Sequence, residues 1–333
     1  MFDSSLVGHE NIRKHLLKQV LSKKMNGSML FAGPNCIGKR KVALELAKRE
    51  LCLLRNACGK CANCIIFNEP LPIELPNLLR IIPEGKADLI RIGTIRDNDL
   101  VDGGIIQWAH RASLPDCHSW IVIEDAHRLN ESSANMVLKI LEEPPIGTHF
   151  ILVTHRPESV INTIRSRCER VNFKPLDSDE VWTVAKNAGW DDCHRELWVT
   201  LSSGTFSYLD HKSFHRASSQ IHAWISLING SSFSELRNIV SPKKDINISQ
   251  SEQLRKSLEL LLLILSDINR CRNNQLPHLK PWLIDIQLLA NSSVLTEKSQ
   301  IQIFEALRNT IRNINPESIL REIVISLQSH FNN

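Results

Sequence analysis

One stretch constrains the fold before anything else, "SMLFAGPNCIGKRKVALELAKREL", residues 28–51. Ser28 to Ala32 read as a short buried strand, and Lys39 to Leu51 as a helix with Val42, Leu46 and Ala47 along one face. Between them, Gly33 and Gly38 permit a tight turn. Backbone N–H groups at the helix start can then point at phosphate oxygens, with Lys39 adding a positive charge. Strand, glycine loop and helix in that order predict an α/β domain with a parallel sheet and a phosphate loop.

Position 40 breaks the pattern. A loop of this kind places a serine or threonine after the lysine, as a direct ligand of the magnesium that bridges the outer phosphates. Here the residue is Arg40. Two unit charges about 4 Å apart interact by roughly 4 kcal/mol at an effective dielectric near 20, and a divalent ion doubles the repulsion. Arg40 and a bound magnesium therefore compete. The side chain either swings out to solvent or touches phosphates itself, replacing the metal's charge but not its catalytic geometry. Both placements argue against fast hydrolysis. The residues fit a loop kept only as a turn as well as one that binds nucleotide weakly.

"WIVIEDAHRLN" places Trp120 to Ile123 before Glu124 and Asp125, the pattern of a central parallel strand ending in two acids. In a hydrolysing site the first acid helps to hold magnesium and the second orients the attacking water, usually as Asp then Glu. The order is reversed here. The swap moves each carboxylate by about one carbon–carbon bond, and misplacement by about 1 Å can cost on the order of a hundredfold. A capped helix is expected next, with Asn130 as cap, Ala134, Val137, Leu138 and Leu141 at helical spacing, and Pro144 and Pro145 as the stop. His149 to Thr154 reads as another buried strand. Ile161 to Phe173 carries Arg165, Arg167 and Arg170, which by themselves fit a solvated basic edge.

Four of the nine cysteines, Cys52, Cys58, Cys61 and Cys64, follow C-x5-C-x2-C-x2-C. These spacings are short enough to close four thiolates around one tetrahedral zinc, and a four-sulfur site leaves no open position, so the metal is structural. Free buried thiols are the alternative. Cys36, Cys117, Cys168, Cys193 and Cys271 have no partner at ligand spacing. The net charge of +4 is too small to announce a dedicated nucleic-acid binder, so any DNA contact must come from a local patch. The longest apolar run, Leu258 to Leu265, is interrupted by Glu259 and far shorter than the roughly 20 residues of a membrane span. "MFDSSLVGHE" lacks the features of a leader, and a cytoplasmic location without membrane contact is expected.

"LVGHE", "GPNCIGKR", the cysteine cluster, "WIVIEDAHRL", "LKILEEPP", "FILVT" and "TIRSRCERV" stand in the order and spacing of bacterial clamp-loader subunits of the AAA+ class, which the chain resembles over roughly its first 210 residues. Further on, only "NINPESILRE" suggests the terminal helical domain of that family. The resemblance implies a heteropentamer with other clamp-loader subunits, of the gamma/tau and delta types, that places a sliding clamp on primed DNA. It implies that Arg167, in "SRC", reaches the ATP of a neighbouring subunit in trans, a contribution worth about 10³ to 10⁵ in rate. Thr154 matches the phosphate-sensing position after the strand. The second sensing arginine corresponds to "GTFSYL", where Tyr208 stands instead. A small zinc module after the first helix agrees with Cys52, Cys58, Cys61 and Cys64.

The expected organisation is an AAA+ domain over residues 1–175 with the zinc module at about 52–64, a helical lid over 176–237, a linker over 238–250 and an all-α collar domain over 251–333. Leu254, Leu258, Leu261, Leu262 and Leu265 open the last of these as an amphipathic helix. The own nucleotide site would comprise Gly33, Gly38, Lys39, Arg40, Glu124, Asp125 and Thr154, with binding of ATP and magnesium doubtful there. A stator-like subunit without turnover of its own is the reading that follows. An ATP-hydrolysing gamma/tau-type subunit and a stand-alone phosphate-loop regulator are the rivals.

Overall fold

A computed structural model of the chain describes residues 6–22, 25, 27–67, 74–75, 77–83, 90, 105, 108–109, 118–192, 195–206, 211–240, 250–291, 301, 305 and 316–329. Strand β1 (Ser28–Ala32) lies between β5 (Thr148–Thr154) and β6 (Glu169–Asn172), parallel to both. Beyond β5 follow β4 (Ser119–Ile123) and β3 (Leu78–Ile81), also parallel, and the two-residue β2 (Glu74–Leu75) pairs antiparallel with β3. The order is β2-β3-β4-β5-β1-β6.

β1, β4 and β5 are buried throughout, which is why they read as apolar runs rather than alternating ones: helices cover both faces of a parallel sheet. Side chains nevertheless alternate in destination. Met29, Phe31, Trp120, Val122, Ile151 and Val153 pack with Leu16 of α1 (Glu10–Leu21) and with Val42 and Leu46 of α2 (Lys39–Leu51). Leu30, Ile121, Ile123, Phe150 and Leu152 pack on the other face. They meet Ala134, Val137 and Leu141 of a helix over Glu131–Glu142, and Ile164 of a short turn over Asn162–Arg165. Each such fully buried side chain contributes roughly 1.5–3 kcal/mol, so the two clusters bind the helices to the sheet. The Asn130 cap is present, its side chain accepting from Ser133 N at 2.8 Å.

The sequence pattern does not mark a strand at "LLRI". Arg80 interrupts the apolar run there, yet β3 aligns Ile81 with Ile123 and so brings Arg80 to the end of β4. A five-residue helix, Ala62–Ile66, follows the cysteine-bearing loop.

The chain divides into two units, Met1–Val184 with Gly204–Phe206, and Ala185–Ser203 with Ser207–Asn333. The secondary structure among the described residues of the second unit is helical, with the longest helices His211–Ile228 and Gln250–Arg272. Trp224 is fully buried, and its indole N–H reaches both the carbonyl and the hydroxyl of Ser257 at 3.1 Å. Leu254, Leu258, Leu261 and Leu265 are buried as their spacing predicts. Leu262 is only half-buried, and Ile264 and Ile268 line the packed face instead. The carboxylate of buried Asp267 accepts from the backbone N–H groups of His278 and Leu279 at 2.9 and 2.8 Å, closing the turn after that helix. Helix Phe233–Val240 runs into the stretch read as a linker, and residues 241–249 lie outside the described ones. Among the described residues no helix is long and apolar enough to cross a membrane.

Candidate nucleotide site, cysteine cluster and basic edge

The phosphate loop follows the carboxyl end of β1, where α2 begins. Gly33 has φ 153°, and a Cβ there would meet the Phe173 carbonyl oxygen at 2.3 Å, so only glycine fits. Gly38 caps α2 in the left-handed region at φ 92° with open space beside it. The loop is largely occupied with itself. Lys39 Nζ donates to Gly33 O at 2.9 Å and to Pro34 O, and burial draws its ammonium down to about 8. Asn35 Oδ1 accepts from Cys36 N at 2.9 Å, His9 Nε2 bonds Ile37 O at 2.9 Å, and Phe206 N donates to Cys36 O at 2.6 Å.

The Arg40 side chain is half exposed and pairs with the acid that follows β4. Its Nη1 lies 3.2 Å from Glu124 Oε2, while Arg80 donates through Nε and Nη2 to Glu124 Oε1 at 2.9 and 2.7 Å. Glu124 is 8% exposed and the Arg80 side chain is also shielded, so that pair is poorly screened by water, whereas the Arg40 side chain is half exposed. Two guanidinium groups on one carboxylate leave a net positive charge where a magnesium ligand would otherwise stand. A divalent cation there would have to displace one arginine and bear the repulsion of both.

Asp125 sits at φ 50°, with Oδ1 3.5 Å from His155 Nδ1. Burial raises its carboxyl, but His155, His127 and Lys39 outweigh that and hold it below the usual range. Thr154 Oγ1 accepts from Arg156 N at 3.0 Å and bonds His127 Nδ1 at 3.2 Å. Burial first, then His155, push the His127 imidazole down to about 4. The hydroxyl and both acids are thus engaged by protein groups. Arg80, His127, His155 and His9 were missed by sequence reasoning; the arginine inside "LLRI" was the one local signal. Tyr208 lies outside the described residues.

Arg167 follows the Asn162–Arg165 turn. Ile164 and Cys168 point inward, and burial pushes the Cys168 thiol up to about 11. Arg167 faces outward at 39% side-chain exposure, with Nη2 2.8 Å from Glu142 Oε1 and Nη1 donating to Thr163 O at 3.1 Å. Arg165 bonds Asn162 and Arg170 bonds Asn172, each within its own segment.

Cys52 ends α2 and Cys64 lies in the Ala62–Ile66 helix, both buried. With Cys58 and Cys61 they place four sulfurs within 4.8 Å of one another, two of the separations being 3.9 Å. A tetrahedron with Zn–S bonds of about 2.3 Å has edges of about 3.8 Å. The donor set therefore fits zinc. Arg55, Ala57 and Gly59 all adopt positive φ, wrapping the chain around the sulfurs at a cost of roughly 1–2 kcal/mol for each non-glycine residue. Burial raises the Cys52 thiol, yet N–H groups of Cys58, Asn56 and Leu54 bring it to about 6, whereas burial carries Cys64 to about 12.

A family model described as "DNA polymerase III, delta subunit" matches residues 8–177. DNA polymerase III subunit tau of Bacillus subtilis is 31% identical over 179 residues, covering 53% of this chain and 30% of the relative. Subunit tau of Escherichia coli is 29% identical over 181 residues, covering 54% and 26%. The chain thus spans less than a third of the length of these two curated relatives. A DNA polymerase III, gamma subunit-related protein from Thermotoga maritima superimposes with a TM-score of 0.45 at 17% identity, covering 96% of this chain and 99% of the other.

Proposed function

Because the chain belongs to the DNA polymerase III delta-subunit family of clamp-loader AAA+ proteins, we propose that it is the delta prime subunit, a stator that does not hydrolyse ATP itself. One observation carries this reading: Arg40 and Arg80 share the Glu124 carboxylate, so the place of a magnesium ligand is taken by fixed positive charge. The reversed Glu124–Asp125 pair and Tyr208 support it.

In this reading the chain acts through Arg167, which lies at the surface on a turn anchored by Ile164 and Cys168. A guanidinium aimed at a neighbour's transferring phosphate stabilises the charge that develops there. Release from Glu142 costs little, because an exposed ion pair is worth roughly 0–1 kcal/mol. Cys52, Cys58, Cys61 and Cys64 hold a structural zinc that supplies fold stability and no chemistry. The helices after residue 250 form a collar joining gamma/tau and delta subunits in a heteropentamer that loads the sliding clamp on primed DNA, in the cytoplasm.

The test is ATPase activity of the reconstituted loader with Arg167→Ala. Clamp- and DNA-stimulated turnover should fall steeply although this chain alone hydrolyses little; unchanged turnover would sink the trans-acting role. An ATP-hydrolysing gamma/tau-type subunit is the second reading, favoured by tau relatives and by the retained Gly33, Gly38 and Lys39. Magnesium-dependent turnover by the isolated chain would decide for it.

A further inference from the structure

At the opposite pole of the sheet from the phosphate loop, three potential ligands converge from separate elements. Glu50 comes from the last turn of α2, His118 immediately precedes β4, and His149 is the second residue of β5, in register with Trp120. One ligand atom from each lies within 4.8 Å of the others. His118 Nδ1 is 2.5 Å from Glu50 Oε1, and the Trp120 indole N–H donates to Glu50 Oε2 at 3.0 Å.

Hydrogen bonds from His118 and the indole account for the buried Glu50 carboxylate but not for His149. That imidazole is 7% exposed, and its Nδ1 is buried without a hydrogen-bond partner. Its ring stacks obliquely on both His118 and Trp120, at centroid distances of 4.6 and 5.0 Å. An aromatic hydrocarbon would serve that packing without stranding a polar atom. One ring nitrogen of this buried imidazole lies within 4.8 Å of ligand atoms of a second imidazole and a carboxylate, a donor set that borderline divalent ions prefer.

We propose that Glu50, His118 and His149 form a mononuclear site for a zinc-class divalent cation, separate from the four-cysteine cluster. Tetrahedral coordination at about 2.0–2.1 Å needs ligand separations of about 3.3 Å, inside the 4.8 Å within which the three ligand atoms lie. Binding replaces the His118–Glu50 contact with bonds to the ion, and Trp120 orients the ligating carboxylate from behind. His118 is 24% exposed, which leaves an approach for the ion and a fourth position for water. The bound ion ties the end of α2 to the starts of β4 and β5.

The full chain, stripped by chelation and titrated with Co²⁺, tests this. Two equivalents are expected, one with thiolate-to-metal charge-transfer absorption and one with ligand-field bands alone. His149→Phe and His118→Asn should each abolish the second and spare the first. Trp120→Phe should weaken the second by about 10- to 100-fold. Absence of a non-thiolate equivalent in the wild type overturns the site, as does its persistence in either histidine variant. His118→Asn, at a partly exposed position outside the strand, decides the matter if His149→Phe does not fold. Because the two equivalents are read by different absorption, failure of the cysteine cluster cannot be mistaken for failure of this site.

Discussion

Arg40 Nη1 stands 3.2 Å from Glu124 Oε2, on the carboxylate whose other oxygen is held by Arg80. Substituting Arg40→Thr removes one charge and offers a hydroxyl to magnesium. Magnesium-dependent nucleotide affinity should rise at least about tenfold, a fraction of the roughly 4 kcal/mol repulsion between unit charges about 4 Å apart. Turnover should stay near background, since Arg80 still engages Glu124 and the acids remain reversed. Fluorescent-nucleotide titration and a phosphate-release assay read the two effects, and brisk hydrolysis by this single variant would refute the account.

The Arg167–Glu142 pair is exposed on both sides. Arg167→Ala should therefore change denaturant-unfolding stability by less than about 1 kcal/mol. A large destabilisation would mean that Arg167 is part of the scaffold rather than a group held ready for a partner.

For the cysteines, metal analysis should find one thiolate-bound zinc per chain. Cys64→Ser should lose it and make the loop over residues 53–61 protease-sensitive, whereas Cys36→Ser, at an exposed thiol far from the cluster, should not. Equal metal content in the two variants contradicts the cluster.

The His127 imidazole is held down to about 4 in the folded chain against about 6.5 when unfolded. Between those values the unfolded chain binds a proton that the folded chain does not, so stability falls as pH drops from about 6.5 towards 4 and then levels off. His127→Gln should flatten part of that decline in urea midpoints measured at pH 7, 5.5 and 4.5. Parallel curves for wild type and variant would remove His127 as a cause.

Asp267 receives two backbone N–H groups while fully buried. Asp267→Ala leaves both donors unpaired, at about 1–3 kcal/mol each. A loss of about 2–5 kcal/mol by calorimetry or urea unfolding is expected, and one below about 1 kcal/mol would show that water replaces the carboxylate.

β1 and α2 begin and end where the residues predicted them, because period and glycine placement are local signals. β3 was not legible, since one arginine in a four-residue strand erases its apolar signature. The cysteine spacing announced a cluster because its ligands lie within one short stretch. His127 and His155 gave no such warning; their proximity to Asp125 and Thr154 comes from two strands ending side by side.

Short-range pattern decided the phosphate loop, its missing hydroxyl, the reversed acids and the four thiols, since each is spelled within about a dozen residues. Folding alone decided where Arg40 goes. Its partner is 84 positions away and the competing Arg80 is 44 from the same glutamate. The parallel register of β3, β4, β5 and β1 brings those three charges together, with Arg80 and Glu124 shielded from water and Arg40 half exposed. The same register, at the other end of the strands, helps to gather Glu50, His118 and His149, whose first and last members stand 99 positions apart, a span over which sequence spacing carries no distance information.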